Sequence, residues 1–426
     1  MRVRLPNPGL REFGLAAFLT AGYFKADPRL AWLPVDLTLL FAVWTVAALA
    51  WQWLREGYLP LTRSTLLLLV FFAVLAPGLL ASGGAEYAAE KSKRLFSLTL
   101  LAAVAPALLL RGPEQLRRFL RSLAVLGALM GVDAAVILVT SPQMNRLQVF
   151  NSDTIALGRA TGTTFLWICI LWLERQLGTL KGLLALVGLA GLMLASGTRA
   201  ALLGGALTLL ASFWLFYRRE GGAAGRLALY VGAGAMALVL AVPLLPKGSL
   251  LRVQESLSGE LDHSGQCRVQ AYAESLPLIA ASPLGIGLGD FAERIPIKCG
   301  RSWMRYPHNI LIELALESGL AAALALVALS VLGVRKLYRL ASATGVMEGR
   351  ALFALLLFFC VNVMFSGDVN DNKLFLALLG LSLSADRLLT PHPIGDRHVP
   401  STPEALPCPE AGPARAALPG HGPLRA

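Results

Sequence analysis

The sequence predicts an all-α polytopic integral membrane protein with about 12 transmembrane helices and one large loop before the last three spans. The chain has 426 residues, of which 56% are hydrophobic and only 15% are charged. A soluble globular domain is about half apolar and about one quarter charged, so this composition indicates a membrane protein. Apolar runs of roughly the length of a membrane span recur along almost the whole chain.

The apolar runs define the predicted order of the chain. Spans are expected at 9–24, 34–54, 65–83, 94–110, 118–140, 154–173, 180–197, 199–217, 226–245, 309–334, 350–366 and 373–388. The first run lacks a signal-peptide cleavage pattern and is therefore interpreted as a helix. The predicted domains are a bundle of about nine helices at 1–245, a large loop with helical segments at 246–308, about three helices at 309–388, and a tail at 389–426.

Lysine and arginine are distributed unequally between the short loops. Loops on the side of the N-terminus carry about twice as many of them as loops on the other side, and this bias predicts that both termini are cytoplasmic. The loop 246–308 then lies on the outer face. The net charge of +12 mainly reflects this topology, and because no motif interleaves aromatic and basic residues, we expect no nucleic-acid partner.

Two segments outside the spans have distinct compositions. The tail 389–426 is rich in Pro, Ala and Gly, which predicts a disordered extension. The large loop contains Cys267 and Cys299, and two thiols on an oxidising face are expected to form a disulfide. Two unpaired thiols are the alternative. No cysteine or histidine spacing typical of a metal site is present.

Arg199 lies in the stretch LASGTRAALLGG, where two apolar runs meet with almost no loop between them. A charged residue at the edge of a span normally faces the bundle interior or water. One interpretation is a hairpin turn with an arginine that extends to the membrane surface. The other is an anion site at the start of a helix, next to small residues with free backbone donors.

The large loop adds further cations and a glycine-rich run. A helix is predicted from Arg268 to Ala281, where Ser-Pro follows, and Lys298, Arg301 and Arg305 come before the chain returns to the membrane. The sequence PLGIGLGDF lacks the preceding strand of a dinucleotide-binding site, so its glycines are weak evidence for anything beyond tight turns.

The stretch RYPHNILIELALESGL places ionisable residues at the start of an apolar segment. Pro307 suits the first turn of a helix, so His308 and Asn309 are expected in that turn. A helix N-terminus disfavours the protonated imidazole, which would keep the histidine neutral and able to accept a proton. A histidine that only anchors the helix at the membrane boundary is the alternative.

Glu313 and Glu317 are four residues apart and therefore share one helix face. They are expected either to support a site or to pack as partners of arginines. Ser318 and Gly319 indicate a kink or the true start of the long apolar run.

Arginines and one neutral histidine limit the possible chemistry. Asp368 and Asp371 are explained as well by loop capping as by metal binding, and the sequence contains no nucleophile elbow, Walker loop or HExxH motif. Arginine binds phosphate in a bidentate manner, and it can stabilise a departing pyrophosphate without a metal. Transfer of a sugar from a lipid pyrophosphate to a hydroxyl has these requirements, and no cofactor is expected.

Three stretches, in order, resemble the O-antigen ligase and polymerase superfamily of bacterial envelope glycosyltransferases. They are SGTRAALLGG, CRVQAYAESLPLIAASPLGIGLGDF and PHNILIELALESGL. The resemblance implies that Arg199 and Arg268 bind pyrophosphate and that His308 is catalytic, with supporting roles for Asn309 and Glu317.

An upstream element is matched less completely. Arg159 and Gly162 fit the superfamily's Arg-x-x-Gly pattern, but the Asn-rich continuation is missing. Arg159 is therefore kept as a further candidate for substrate binding, together with the loop cations Arg301 and Arg305.

The resemblance implies a metal-independent O-antigen ligase in the bacterial inner membrane, with its site in a periplasmic loop. It would transfer O-antigen polysaccharide from undecaprenyl pyrophosphate to lipid A–core oligosaccharide. Because the sequence offers no nucleophilic pair, direct displacement with inversion of the anomeric carbon is expected. An O-antigen polymerase or a protein O-oligosaccharyltransferase would use the same donor. A lipid-linked sugar transporter would instead have its polar residues near mid-membrane.

Overall fold

The computed structural model describes residues 9–141, 147–219, 261–300 and 302–390, with isolated positions between 221 and 258. The described residues are mostly helical, as predicted. Seven helical stretches of the described residues are long and apolar enough to cross a membrane, judged by length and composition. They are Leu37–Glu56, Arg63–Ala81, Glu86–Leu109, Pro113–Thr140, Thr154–Leu173, Arg199–Tyr217 and Leu320–Thr344. The protein is therefore an all-α membrane protein.

The described residues up to Ser212 form ten α-helices. They are α1 (Leu10–Thr20), α2 (Leu37–Glu56), α3 (Arg63–Leu75), α4 (Pro77–Ala81), α5 (Glu86–Arg94), α6 (Leu100–Leu109), α7 (Pro113–Thr140), α8 (Thr154–Leu173), α9 (Thr179–Ala195) and α10 (Arg199–Ser212). Short 3₁₀ segments at Ala21–Tyr23 and Pro28–Leu30 follow α1, and π-helical turns at Leu95–Thr99 and Phe213–Tyr217 extend α5 and α10.

The second part begins with the loop elements and ends with membrane helices. It contains α11 (His263–Ala281), α12 (Phe291–Arg294), β1 (Lys298–Cys299), β2 (Ser302–Trp303), α13 (Ile310–Glu317), α14 (Leu320–Thr344), α15 (Met347–Asn362), α16 (Lys373–Leu383) and α17 (Ala385–Leu389). The two strands form an antiparallel hairpin in which Lys298 pairs with Trp303.

Helix α8 lies inside the bundle. Its most apolar window is 78% buried, against 22% for α2. A Cβ at Gly158 of α8 would lie 2.9 Å from the Cβ of Thr198, which precedes α10. A Cβ at Gly204 of α10 would lie 2.9 Å from the amide nitrogen of Asn362 at the end of α15. The N-terminal ends of α8 and α10 and the C-terminal end of α15 are consequently close together.

Several predicted spans differ from the observed helices. The predicted span 309–334 is divided, because α13 ends at Glu317 and α14 begins at Leu320. Gly319, with φ of +94°, breaks the helix in a conformation that favours glycine. Ser318 and Gly319 therefore mark the true start of the long apolar helix. Most of the predicted span 226–245 and the tail after residue 390 lie outside the described residues.

The helix of the large loop starts earlier than predicted. It begins at His263, not at Arg268, because the Asp262 side chain accepts a hydrogen bond from Gly265 N and caps the helix. It ends at Ala281, as predicted. Cys267 and Cys299 form a disulfide with a Cα–Cα distance of 6.0 Å, which ties this helix to the β-hairpin.

The glycine-rich run joins the loop to the helical bundle. Leu288 N donates to Gly78 O at 2.9 Å, and Ile286 N donates to Leu316 O at 2.8 Å. Gly289 has φ of +82° and donates its N–H to Glu317 Oε2 at 2.9 Å. The tight turns therefore bind protein groups of α4 and α13 and are structural.

Candidate active site

His308 lies just before α13 and not within its first turn. The expectation that Pro307 begins the helix is wrong, because Asn309 is the N-cap: its Oδ1 accepts hydrogen bonds from Leu311 N at 3.0 Å and Ile312 N at 3.1 Å. Asparagine is among the strongest N-cap residues. His308 has φ of +60°, in the left-handed region that few residues with a side chain adopt.

A cavity of about 370 Å³ opens beside His308. Its lining comes from α11, the β-hairpin and the segment before α13, and it consists of Ser264, Arg268, Cys299, Ser302, Trp303, Met304, Arg305, Tyr306 and His308. The volume is in the range of small-ligand sites, and such sites combine apolar surface with a few polar groups. The structure thus brings His308, Arg268 and Arg305 together around one space.

The surroundings of His308 keep its ring neutral. Burial, and secondly the positive charge of Arg268, lower the pKa of His308 to about 4. The expected neutral histidine therefore arises from burial and a neighbouring cation, and not from a helix N-terminus. The ring lies 4.5 Å from that of Tyr306, and burial raises the pKa of Tyr306, so its hydroxyl stays protonated.

Two buried nitrogen atoms at this site have no hydrogen-bond partner among the described residues. They are Nδ1 of His308 and Nε of Arg268. A buried polar atom without a partner costs about 1–3 kcal/mol. Such atoms are expected to bind a water molecule, an ion, a ligand or a reacting group.

Arg199 begins α10 and is 37% exposed. Its guanidinium lies 3.3 Å from a Glu255 carboxylate oxygen and 3.7 Å from one of Asp262. Asp262 caps α11, which carries Arg268 a turn and a half later, so Arg199 contacts the start of the helix that lines the cavity. Arg199 itself does not line it.

The other predicted cations have different surroundings. Arg159 is 3% exposed, and its guanidinium donates to the backbone oxygen of Ser366 at 2.9 Å. Arg305 is exposed, lies over the ring of Tyr87 at 5.3 Å and lines the cavity. Arg301 lies outside the described residues.

The supporting residues bind protein groups. Besides capping α13, Asn309 donates from Nδ2 to Met364 O at 3.2 Å. Glu317 is fully buried and accepts hydrogen bonds from Lys91 and Gly289. Both residues hold the segment that follows His308.

Lys91, Glu313 and Glu317 form a buried charge cluster, and the two glutamates lie on α13, the helix that follows His308. The Nζ of Lys91 is 2.6 Å from Glu313 and 2.7 Å from Glu317, and the three side chains are at most 1% exposed. Arginines were expected as partners of these two glutamates. A lysine fills that role, and no local pattern marks it.

The acidic pair and the cysteines also have structural partners. Asp371 N donates to Asp368 Oδ1 at 2.8 Å, which is the loop capping considered above. Ligand atoms of His263, Cys267 and Cys299 lie within 4.8 Å of one another. Because the two sulfur atoms are bonded to each other, they are not available to a metal while the bridge is intact.

The site lies in a segment of the chain that matches a known protein family. Residues 184–327 match the family described as O-antigen ligase, over roughly one third of the chain. A comparison with curated proteins gives no significant match. The matched segment contains Arg199, Arg268 and His308 together with the cavity, and the resemblance of this chain to the O-antigen ligase superfamily is confirmed over that segment.

Proposed function

We propose that the protein is an O-antigen ligase that transfers O-antigen polysaccharide from undecaprenyl pyrophosphate to a sugar hydroxyl of lipid A–core. The family match supports the O-antigen ligase and polymerase class. The observation that carries the proposal is the neutral, mostly buried His308, which faces a cavity together with Arg268. This arrangement suits a hydroxyl acceptor and an anionic leaving group.

In this mechanism His308 orients the acceptor hydroxyl and accepts its proton. The acceptor oxygen forms a bond to the anomeric carbon, while the bond between that carbon and the phosphate oxygen breaks. Undecaprenyl pyrophosphate leaves with the electron pair. Direct displacement inverts the anomeric carbon.

The arginines would bind the pyrophosphate. Arg199 and Arg268 are the main candidates. Arg268 lies on α11 and lines the cavity, Arg199 contacts Asp262 at the start of the same helix, and Arg305 adds a third cation at the cavity. Guanidinium groups stay charged at any working pH and bind phosphate oxygens in pairs. Arg159 and Arg301 remain further candidates for donor binding, and Asn309 and Glu317 for support of the site.

The finer topology is part of the proposal. It has about 12 spans in the bacterial inner membrane, divided at 245, 308 and 388, with both termini cytoplasmic and the loop 246–308 in the periplasm. The seven long apolar helices support a membrane protein. Lipid-carried substrates would enter from the bilayer, between helices.

A gene deletion in the host, followed by complementation, tests the reaction. We expect lipopolysaccharide without any O-antigen cap and polymer that accumulates on its lipid carrier. Survival of a one-repeat cap would indicate an O-antigen polymerase, and loss of glycan from proteins would indicate a protein O-oligosaccharyltransferase. If the deletion strain still carries lipid-linked glycan outside the cytoplasm, the protein is not the transporter that moves this glycan across the membrane.

Complementation with variants tests the residues. His308→Ala and Arg268→Ala are expected to leave the deletion phenotype, at wild-type protein levels on an immunoblot. Arg219→Gln, a change at an exposed arginine, is the matched control and should restore capping. Normal capping by His308→Ala would remove this histidine from the mechanism.

A further inference from the structure

Trp303 is a large apolar side chain that stays exposed at the cavity. It is 59% exposed and lies on β2, next to the strand end that leads to His308. Single exposed apolar side chains are common. This one, however, lines the same cavity as His308 and Arg268, so its open face borders the proposed reaction space.

The backbone of Trp303 is held rigidly. It pairs with Lys298 in the hairpin, and the next residue, Met304, donates its N–H to Ile297 O at 2.9 Å. The hairpin is fastened to α11 by the Cys267–Cys299 disulfide. An indole has only two rotatable side-chain bonds, so its surface can be presented to a ligand at low entropic cost.

The chemistry around the indole fits a sugar ring. Ser264 and Ser302, whose side chains carry hydroxyl groups, line the cavity with the cations Arg268 and Arg305. A pyranose has one face of C–H groups and an edge of hydroxyls, so it can use an aromatic surface and polar groups together. The negative face of the indole attracts the weakly positive C–H groups.

The position favours the acceptor sugar over the donor sugar. The reacting hydroxyl must lie within hydrogen-bonding distance of His308, so the acceptor ring lies in the cavity that Trp303 lines. The pyrophosphate of the donor would extend between Arg268 in the cavity and Arg199 outside its lining, so the donor reaches the cavity only with its reacting end.

We propose that Trp303 is the stacking surface for the acceptor sugar and helps to select it. This inference rests on the proposed transfer reaction. Loss of the ring should weaken acceptor binding and leave donor binding unchanged. Phenylalanine retains an aromatic face, so Trp303→Phe should retain most of the binding.

Steady-state kinetics of the purified full chain tests the inference, with each substrate varied in turn. Trp303→Ala should raise the acceptor KM roughly 2- to 12-fold, as expected for an aromatic contact, with a donor KM equal to wild type. Trp32→Ala, at a tryptophan that is 76% exposed and outside the cavity, is the matched control and should change neither. An unchanged acceptor KM, or an increase in the donor KM alone, would overturn the assignment.

A binding measurement separates failure of this inference from failure of the proposed function. Lipid A–core in detergent, without donor, should change the tryptophan fluorescence of the wild type and of Trp32→Phe, but not that of Trp303→Phe. If the wild type transfers no glycan, the proposed reaction fails, while this fluorescence difference still decides the sugar contact. Equal fluorescence changes in all three proteins, or none in any, refute the role of Trp303.

Discussion

Replacement of Lys91 by methionine is expected to destabilise the protein by about 4 kcal/mol. The lysine ammonium contacts both Glu313 and Glu317 within 2.7 Å, in a cluster closed to water. Methionine has a similar length and fits an apolar environment, but it leaves two buried carboxylates without their cation. Removal of one partner from a buried ion pair costs about 3–5 kcal/mol.

An independent calculation gives the same magnitude. Loss of the lysine removes one positive charge, which one proton taken up by the two buried carboxylates replaces. At pH 7 this uptake costs about 3.7 kcal/mol, or 1.36 kcal/mol per pH unit above a reference pKa of about 4.3. At pH 5 the same proton uptake costs about 1 kcal/mol. The folded variant then binds a proton that the unfolded chain releases. The loss of stability of the variant relative to the wild type should therefore decrease as the pH falls.

Unfolding of the purified protein in detergent, measured at pH 7 and pH 5, tests this reasoning. Lys93→Met is the matched control, since Lys93 is exposed two residues away, and it should behave as wild type. Combining Lys91→Met with Glu313→Gln and Glu317→Gln should restore most of the stability. Equal stability of Lys91→Met and Lys93→Met at pH 7 would refute the buried charge cluster.

Three further predictions concern the site and its supports. Asn309→Ala should lower stability by about 1 kcal/mol through loss of the helix cap, whereas Asn309→Asp retains the cap; equal losses in thermal unfolding would contradict this. Cys267 and Cys299 should react with a thiol reagent only after reduction, which should cost about 3–4 kcal/mol of stability for a closed loop of this size; labelling without reductant would contradict the bridge. His308→Ala should abolish transfer in a purified assay while thermal unfolding stays close to wild type, and residual activity within tenfold would exclude a proton-accepting role.

The sequence was sufficient where the signals are local. The end of α11 at Ala281 follows from the Ser-Pro that comes next, and the break at Ser318–Gly319 follows from a glycine that tolerates positive φ. The disulfide was predictable because only two cysteines share the large loop. These features depend on a few neighbouring residues each.

The site geometry depends on contacts that a local pattern does not contain. Pro307 was interpreted as the first helical residue, although Asn309 two positions later is the stronger cap, and an asparagine before an apolar run is the signal that could have corrected this. Lys91 is more than 200 residues from Glu313 and Glu317, and a count of loop charges cannot distinguish a buried lysine from an exposed one.

The low pKa of His308 leads to a specific prediction about catalysis. In the free enzyme, burial and Arg268 lower the pKa of His308 to about 4, which makes it a weak base. The donor pyrophosphate brings negative charge that offsets the charge of Arg268, so binding of the donor should raise the pKa of His308 and strengthen it as a base when the substrate is present. Because kcat/KM for the donor reports the free enzyme and kcat reports the complex, the acid limb of kcat should lie at a higher pH than that of kcat/KM. Coincident limbs would show that the pyrophosphate does not act on His308, and the arginines would then have to bind it at a distance from the proton acceptor.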